Sequence, residues 1–452
     1  MKKTLSFLAL SLGCLSFANA DDYEVVNRQA IDRVWSGNYV GFDILMSGQH
    51  QYVAYYDANR QMTVAHREAS APWVYYKVDS WYGWDSHNYI TIELDTEGHL
   101  HLFGNMHAQR MEYFRTRFPH DVRTLERIHV LENAELEKVS TYPKFLKRDN
   151  GELILKYRSG FSGDGVEVYL AYDPESQAWT QIHDTPLIDG QGLMNAYVEG
   201  PSLGPDGRFH MVWIWRDTPD AGTNHDISYA RSDDLIHWED SAGNPLPLPI
   251  TLASSDIADP VPARGGAING NNKLGFDSQH RPLIAFHKYD QNGQTQAYIA
   301  RREADAWKSY QVSDWRNFRW DFGGTGSLSS FDVRIQKPVA LPDGKIRLTV
   351  KKQEDWYDLI LDEASLKLLE SRPSFAYPPV LSQVASSGEV LLNGVDSYGD
   401  ELILRTKSAQ GDDGLSYYIT WEAQAPFRGQ ARESILPPST LYLHTLKQKK
   451  AD

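Results

Sequence analysis

The sequence predicts an all-β fold, a seven-bladed β-propeller, from two observations. A turn followed by a strand of alternating apolar residues recurs seven times along the chain. A further strand built around a tryptophan follows several of these copies, at Trp73, Trp179, Trp238 and Trp307. Period-two alternation after a turn is typical of β-strands, and repeated units of several antiparallel strands are typical of propeller blades. A pair of β-sandwiches is the alternative.

Each copy begins with residues that favour tight turns, mostly Asp, Asn, Gly and Pro. The seven turns are Asp57 to Arg60, Asp95 to Gly98, Asp149 to Gly151, Pro205 to Gly207, Asp277 to His280, Pro342 to Gly344 and Tyr398 to Asp400. No linker rich in Pro and Ser and no low-complexity tract divides the copies. We therefore predict one domain, residues 21–452.

The first 20 residues, 1–20, have the pattern of a secretory signal peptide. Lys2 and Lys3 precede an apolar run from Leu5 to Phe17, and small residues come before Asp21. This pattern predicts that the chain is exported and that the signal is removed. We expect a secreted protein, extracellular or periplasmic.

Cysteine and charge restrict the chemistry further. The single cysteine, Cys14, lies within the predicted signal, so the mature chain should have neither disulfides nor thiolate metal ligands. Ser11-Leu12-Gly13-Cys14 weakly resembles a lipoprotein box, and lipidation is the alternative. The formal charge of −15 argues against nucleic acid as a partner. No stretch after the signal is long and apolar enough to span a membrane, and we expect a monomer.

Two consecutive predicted hairpins bring reactive side chains together. In the first, counting outward from the turn Asp95 to Gly98 places His87 opposite Met106 and beside His107. The strands that leave the turns of all copies should end on one common face. Side chains from different copies can therefore meet there.

The second hairpin turns at Arg148 to Gly151, and counting outward places Tyr142 opposite Tyr157 and beside Arg158. Two imidazoles, a phenol and a guanidinium would then lie close together, which suits removal of a proton next to a carboxylate. The structural alternatives are that the histidines are solvated and that Arg158 pairs with Asp164 or Glu167.

Later copies add basic and amide groups to the same face, which indicates an anionic ligand. Arg216 falls nearly opposite Asn195, His287 falls near Asn269 to Asn271, and Lys351 with Lys352 falls near Arg334. Arg216 could instead stack on a neighbouring tryptophan. The candidate binding residues are Arg216, His210, Asn195, Tyr197, Lys288 and Lys351.

Several motifs resemble those of a known family. Thr141-Tyr-Pro-Lys-Phe, Leu155-Lys-Tyr-Arg-Ser-Gly and Ser162-Gly-Asp-Gly resemble the Tyr-Pro and Tyr-Arg-x-Gly signature of the BNR-4-type propellers. Trp213-Ile-Trp-Arg and Asn224-His-Asp-Ile-Ser-Tyr extend the similarity. This family includes the ulvan lyases of polysaccharide lyase families 24 and 25, and the similarity leans to family 25.

The resemblance implies a seven-bladed propeller that cleaves ulvan, a polysaccharide of sulfated rhamnose and uronic acid, by β-elimination. It places the catalytic residues at His87, His107, Tyr142 and Arg158. The chemistry would need no cofactor. Some relatives hold a structural metal ion, for which His210, His225 and Asp226 are the candidates here.

In such a reaction Arg158 would neutralise the uronate carboxylate, because a guanidinium binds two oxygens and stays protonated. Tyr142 and one of the histidines would serve as base and acid. The charge of Arg158 should favour the phenolate of Tyr142.

Two other functions are alternatives. A propeller glycoside hydrolase would need facing carboxylates, for which the candidates are Asp85, Glu199, Asp217 and Asp332. A non-catalytic sugar-binding propeller would explain the aromatic content and the export signal.

Overall fold

The chain is built from β-strands, and the predicted all-β class is confirmed. This computed structural model describes residues 23–129, 131–326, 328, 330–375, 377–381, 402–433 and 436–449. The predicted signal segment, residues 1–20, and the turn predicted at residues 398–400 lie outside the described residues. Helix within the described ranges is limited to short 3-10 segments, Val122–Thr124, Leu136–Lys138, Ala221–Thr223, Leu252–Ser254 and Pro379–Leu381. No helix in this part of the chain is long and apolar enough to cross a membrane.

The strands of the first half of the chain are as follows. Strand β1 is Tyr23–Val34, and sheet 1 contains β2 (Asp43–Ser47), β3 (His50–Tyr56), β4 (Gln61–Glu68) and β5 (Val74–Trp81). Sheet 2 contains β6 (Thr91–Leu94), β7 (Leu100–Phe103), β8 (Tyr113–Thr116) and β9 (Leu125–Ile128). Sheet 3 contains β10 (Ser140–Lys147), β11 (Leu153–Phe161), β12 (Asp164–Asp173), β13 (Ala178–Gln181) and β14 (Ile188–Asp189).

The remaining strands form three further sheets. Sheet 4 contains β15 (Asn195–Leu203), β16 (Phe209–Arg216), β17 (Asn224–Ser232), β18 (Trp238–Glu239) and β19 (Asp256–Asp259). Sheet 5 contains β20 (Lys273–Phe276), β21 (Pro282–Tyr289), β22 (Thr295–Arg302), β23 (Trp307–Gln311), β24 (Val333–Ile335), β25 (Val339–Leu341), β26 (Lys345–Lys352), β27 (Asp355–Asp362) and β28 (Leu368–Pro373). Sheet 6 contains β29 (Ile403–Gln410), β30 (Ser416–Ala423) and β31 (Ser439–Gln448), and β1 completes it.

Strand β1 joins the two ends of the described chain. It pairs antiparallel with β31, from Tyr23 opposite Gln448 to Val34 opposite Ser439. The other sheets are built from antiparallel meanders, and in sheet 5 one parallel pair, Phe276 opposite Val339, joins two of them. Unfolding either end of the chain therefore disrupts sheet 6.

Apolar clusters join most of the neighbouring sheets. One cluster packs Ile419 of sheet 6 and Val53 of sheet 1 with Ile92 of sheet 2. Further clusters join sheets 2 and 3, sheets 3 and 4, and sheets 4 and 5. Burial of these strand faces is the main stabilising contribution, at about 25 cal/mol per Å² of apolar surface. The position of each sheet therefore depends on the sheets that pack against it.

The repeated turns owe their sequence to a side-chain hydrogen bond. The Oδ1 atom of Asp95 accepts the backbone N–H groups of Glu97 and His99, at 3.0 and 2.9 Å. Gly98 has a φ of 86°, which favours glycine. Asp277 closes its turn in the same way through two backbone N–H groups, at 3.0 and 2.9 Å.

The predicted copy that begins at Asp57 lies between a different pair of strands from the others. The turns that begin at Asp95, Arg148, Pro205, Asp277 and Pro342 each precede the second strand of a meander, whereas the Asp57 turn connects the second and third strands of sheet 1. The corresponding turn of sheet 1 is the short connection at Gly48. Alternation and turn residues alone do not identify which pair of strands a turn connects. The tryptophan strands are confirmed as β13, β18 and β23, and β5 begins at Val74, directly after Trp73; each is the last strand of its meander.

Candidate active site

The predicted site residues other than His210 come from the sheet ends opposite the turns between first and second strands. We call this the site end of the sheets. It includes the segments before β6 and after β7, the start of β10, the end of β11, and the paired ends of β15 and β16.

A carboxylate, Asp85, lies between the two histidines. Oδ1 of Asp85 is 2.5 Å from Nδ1 of His87, and Oδ2 is 2.5 Å from Nδ1 of His107. The two imidazole rings are 4.1 Å apart between centroids. The pairing of β6 with β7 ends at Thr91 opposite Phe103, so His87 and its predicted partner Met106 both lie beyond the paired strands.

This arrangement fixes which ring nitrogen of each histidine faces away from Asp85. Both Nδ1 atoms donate to the carboxylate, and ring geometry directs both Nε2 atoms to the other side. Burial raises the pKa of Asp85, but the hydrogen bonds from His107 and His87 outweigh it and hold this pKa well below its usual range. Burial lowers the pKa of His107, against the opposing effect of Asp85. His107 is therefore neutral near pH 7 and suits proton acceptance.

Tyr142 occupies a bulge at the start of β10. Thr141 pairs with Arg158, and the regular register resumes only at Lys144 opposite Lys156. Tyr142 has a φ of 60°, an uncommon value for a tyrosine that occurs where the surrounding structure enforces it. Cζ of Arg158 is 4.9 Å from the centre of the tyrosine ring, and the ring of His87 is 5.9 Å away. The predicted meeting of the two hairpins is therefore seen in the structure.

Arg158 is only 1% exposed and is held by Thr141. Nη2 of Arg158 donates to Oγ1 of Thr141 at 3.1 Å, and Nε has no partner among the described residues. Among the described residues, no carboxylate lies within 4.0 Å of the Arg158 guanidinium. Glu167 lies 3.8 Å from Nζ of Lys156 instead. The alternative in which Arg158 pairs with Asp164 or Glu167 is therefore not seen. A buried guanidinium without a counter-charge is suited to an anionic ligand.

The predicted preference of Tyr142 for its phenolate form is wrong for the unliganded protein. Burial, and then the neighbouring Tyr197, raise the pKa of Tyr142, and the charges of Arg158 and Arg216 only partly oppose them. Desolvation of the anion outweighs the attraction of the two cations. Tyr142 therefore carries its proton and can donate it.

Three predicted binding residues lie beside Tyr142. Asn195 pairs with Arg216 across β15 and β16, as predicted, and Cζ of Arg216 is 5.2 Å from the ring of Tyr197. The ring of Tyr197 is 6.3 Å from that of Tyr142. Asn195 is buried, and its Nδ2 has no partner among the described residues. Gly165 permits this packing, because a Cβ there would lie 3.0 Å from Oδ1 of Asn195.

Arg216 also has a structural role. Its Nε donates to the carbonyl oxygen of Thr218 at 3.0 Å, and its Nη2 donates to the carbonyl oxygen of Pro219. These bonds fix the loop after β16. The predicted stacking of Arg216 on a neighbouring tryptophan is replaced by its contact with Tyr197.

His210 was predicted at this site, and that prediction is wrong. It is the second residue of β16, whereas Arg216 is the last, so the two lie at opposite ends of the strand. The His210 ring is 1% exposed on its side chain and bonds to Asp206 at 2.8 Å and Tyr229 at 2.6 Å. His210 therefore stabilises the turn end of sheet 4.

The predicted lysines lie at the site end but have partners. Nζ of Lys288 is 2.7 and 2.6 Å from the two carboxylate oxygens of Asp259, so its charge is largely compensated. Nζ of Lys351 is 3.5 Å from Glu354, at the solvent-exposed end of β26. Nδ2 of Asn271 is 3.0 Å from Nε2 of His287, which confirms that predicted contact.

The candidate metal site at His210, His225 and Asp226 does not form. His225 lies at the site end, between Asp226 at 2.8 Å and Asp217 at 3.0 Å, while His210 is at the turn end. Among the described residues, the set with metal-like spacing is Asp85, His87 and His107, whose donor atoms lie within 4.8 Å of one another. In the structure these atoms are joined by hydrogen bonds instead.

Sequence reasoning missed two residues. Asp85 was considered only as a carboxylate for hydrolysis, although its position two residues before His87 is a signal for an Asx turn, and the backbone N–H of His87 donates to it at 3.0 Å. Thr141 lies within the quoted Thr-Tyr-Pro motif but received no role. No sequence pattern indicates that the hydroxyl of Thr141 binds Arg158.

The chain is similar to known proteins over most of its length. Residues 50–315 match the family described as BNR repeat-containing family member. The ulvan lyase of Alteromonas sp. (strain LOR) is 21% identical over an alignment of 356 residues that covers 68% of this chain and 69% of the relative.

Solved structures give the same picture of the fold. Polysaccharide lyase Uly1 matches with a TM-score of 0.62 at 13% identity, over 93% of this chain and 99% of its own. A PL25 ulvan lyase matches with a TM-score of 0.59 at 15% identity, over 92% and 97%. The form of that lyase bound to -[GlcA(1-4)Rha3S]- matches with a TM-score of 0.59 at 14% identity, again over 92% and 97%. At these identities the similarity shows a shared fold.

Proposed function

This chain belongs to the family of BNR repeat-containing proteins, and on that basis we propose that it is an ulvan lyase. It would cleave the polysaccharide at the uronic acid by β-elimination and release unsaturated uronyl oligosaccharides. The observation that carries this proposal is the position of Tyr142, whose ring centre lies 4.9 Å from Cζ of Arg158 and 5.9 and 6.4 Å from the rings of His87 and His107. The relatives named above support the same assignment.

The proposed reaction uses each of these groups once. Arg158 binds the uronate carboxylate and makes the C5 proton more acidic by stabilising the charge that develops there. A neutral imidazole of the pair accepts the C5 proton, the C4–O4 bond breaks, and a C4–C5 double bond forms. Tyr142 donates its proton to the departing O4. No cofactor is required.

We further propose that the domain, residues 21–452, is a seven-bladed propeller. Sheet 5 supports this count because its two halves, β20–β23 and β25–β28, are each a four-stranded meander. They are joined only by one parallel pair, Phe276 opposite Val339. Counted as two blades, sheet 5 raises the number from six to seven. The protein would act as a secreted monomer, consistent with the signal pattern at residues 1–20.

Hydrolysis is less well supported. Three of its four candidate carboxylates have partners: Asp85 binds His87 and His107, Glu199 lies 3.1 Å from Lys273, and Asp217 lies 3.0 Å from His225. Against the effect of burial, hydrogen bonds from the histidines hold the pKa of Asp85 below its usual range, and the charge of Lys273 does the same for Glu199, so both carboxyl groups stay ionised and are poor general acids.

One assay separates the candidate functions. The purified protein is incubated with ulvan, and ultraviolet absorbance of unsaturated uronate is followed together with new reducing ends. We expect both to rise, and the Tyr142→Phe variant to produce neither. New reducing ends without the absorbance would indicate hydrolysis, and binding without either product would indicate a non-catalytic propeller.

A further inference from the structure

Asp85, His87 and His107 form a compact set of three potential metal ligands at the site end. Oδ1 of Asp85 is 2.5 Å from Nδ1 of His87, and Oδ2 is 2.5 Å from Nδ1 of His107. Among the described residues, no other group of three histidine or acidic side chains has its donor atoms within 4.8 Å of one another. The two imidazole rings are 4.1 Å apart between centroids, so both nitrogens face the same carboxylate. The three donor groups therefore converge on one point.

The chemistry of this donor set favours a transition-metal ion. Two imidazole nitrogens and one carboxylate are ligands that Zn²⁺ and similar ions take, whereas Mg²⁺ and Ca²⁺ prefer oxygen ligands throughout. With ligands about 2.1 Å from a tetrahedral ion, two donor atoms lie about 3.4 Å apart, so each ring has to move about 1 Å away from the carboxylate. The side chains of Asp85, His87 and His107 are 31, 23 and 24% exposed. An ion can therefore reach them from solvent, and they have room to separate.

Hydrogen bonds fix the backbone of both segments that carry these ligands. The backbone N–H of His87 donates to Oδ1 of Asp85 at 3.0 Å, and that of Asn88 donates to the carbonyl oxygen of Asp85, also at 3.0 Å. On the second segment, the N–H of Ala108 donates to Oγ1 of Thr141 at 2.8 Å. Contacts of this kind, outside the ligands themselves, orient the ligands of metal sites. Binding of an ion therefore requires movement of three side chains and leaves the backbone in place.

We propose that Zn²⁺, or a similar transition-metal ion, binds Asp85, His87 and His107 and inhibits the proposed lyase. Without the ion, Nδ1 of each ring carries the proton and donates it to Asp85, and Nε2 is the nitrogen that can accept the C5 proton. The ion takes the lone pair of Nδ1, so the proton of each ring then lies on Nε2. It moves there by exchange with water, and the ring neither gains nor loses a proton overall. The inhibition rests on the proposed function, whereas the binding of the ion does not.

Binding is tested by isothermal titration calorimetry with ZnCl₂, after the purified protein has been treated with EDTA and dialysed into metal-free buffer. We expect one ion per chain. Asp85→Asn and His107→Gln should each weaken this binding at least about 10-fold, because even groups outside the ligands contribute that much to metal affinity. The matched control is Asp206→Asn, which removes a carboxylate 2.8 Å from His210 at the turn end and should bind the ion as the wild type does. Circular dichroism confirms that each variant is folded, and His107→Gln decides if Asp85→Asn is not.

Three results would overturn the metal site. The first is the absence of saturable Zn²⁺ binding by the wild type. The second is equal binding by the wild type, Asp85→Asn and His107→Gln, which would place the ion elsewhere, for example at the stacked rings of His50 and His120, 3.9 Å apart between centroids. The third is displacement of Zn²⁺ by excess MgCl₂, because Mg²⁺ does not favour a donor set with two imidazoles.

The inhibition is tested by the initial rate of the wild type on ulvan at saturating free Zn²⁺. A metal buffer sets the free concentration, because the polyanionic substrate binds the ion too. We expect the rate to fall at least about 100-fold, since the ion removes the general base, and to recover when EDTA is added. Asp206→Asn should respond in the same way, and full activity with the ion bound would overturn the inhibition. If the wild type releases no unsaturated product even without Zn²⁺, the lyase assignment fails, and the calorimetry alone decides the metal site.

Discussion

Oγ1 of Thr141 accepts a hydrogen bond from Nη2 of Arg158 at 3.1 Å, across the last regular pair before the bulge at Tyr142. The same oxygen accepts the backbone N–H of Ala108 at 2.8 Å, and Ala108 directly follows His107. One buried hydroxyl therefore links the guanidinium to the segment that carries a histidine of the site.

Replacement of this hydroxyl tests whether it positions the site. Thr141→Val keeps the shape of the side chain but leaves the buried Nη2 of Arg158 and the N–H of Ala108 without an acceptor. We expect a loss of about 1–3 kcal/mol in the free energy of unfolding and a lower kcat on ulvan. Chemical denaturation and steady-state kinetics measure the two effects.

The control for this variant is Thr440→Val, which removes a similar bond, because Nη1 of Arg33 donates to Oγ1 of Thr440 at 2.9 Å in sheet 6. It should lower stability without changing kcat. Equal kcat for Thr141→Val and the wild type would show that Thr141 does not position the site.

Asp85 gives a second prediction, since it orients both imidazoles. Asp85→Asn keeps the shape but replaces a charged acceptor by an amide, so the Nδ1–H form of the two rings is no longer enforced. We expect kcat on ulvan to fall at least about 100-fold with little change in KM. The matched control is Asp206→Asn, which removes the carboxylate that binds His210 at 2.8 Å at the other end of the sheets. If both variants lose kcat equally, the effect is structural.

Tyr142 is predicted to act through its hydroxyl proton. Because burial keeps the pKa of Tyr142 above its ordinary value, the group is protonated when substrate arrives. Tyr142→Phe removes the proton donor and retains the ring, so kcat should fall about 100- to 10,000-fold while the protein stays folded. Tyr229→Phe, which removes a buried hydroxyl bound to His210, should keep its kcat. A fully active Tyr142→Phe variant would rule out this role.

The sequence was sufficient where local patterns determine the geometry. Turn residues and alternation predicted the two hairpins, and the side chains of His87, His107, Tyr142 and Arg158 lie close together as predicted. Pairing of Asn195 with Arg216 followed from the same counting. Counting from a turn fixes the strand pairs up to the next bulge, and bulges shift the β10–β11 register at Tyr142 and the β15–β16 register between Glu199 and Ser202.

The sequence was insufficient where a protonation state depends on packing between sheets. Burial determines the protonation of Tyr142, and the amount of burial depends on neighbours such as Tyr197 that belong to another sheet. The placement of His210 at the site was wrong for a simpler reason. Apolar alternation is the same at both ends of a strand, so only the distance from the turn distinguishes His210 from Arg216.

The last prediction concerns stability at low pH and uses His444, a buried histidine in sheet 6. Burial, and then the charge of Arg28, lower the pKa of His444 from 6.5 to about 4 in the folded protein. Between these two pH values the unfolded chain binds a proton that the folded chain does not, so stability falls as the pH falls. This residue contributes up to about 1.4 kcal/mol per pH unit within that window, and no slope above it. His444→Asn should therefore show a flatter dependence of Tm on pH between 4 and 6.5, whereas His280→Asn, at an exposed turn position, should follow the wild type. Parallel Tm curves for His444→Asn and the wild type would show that His444 does not cause the acid sensitivity.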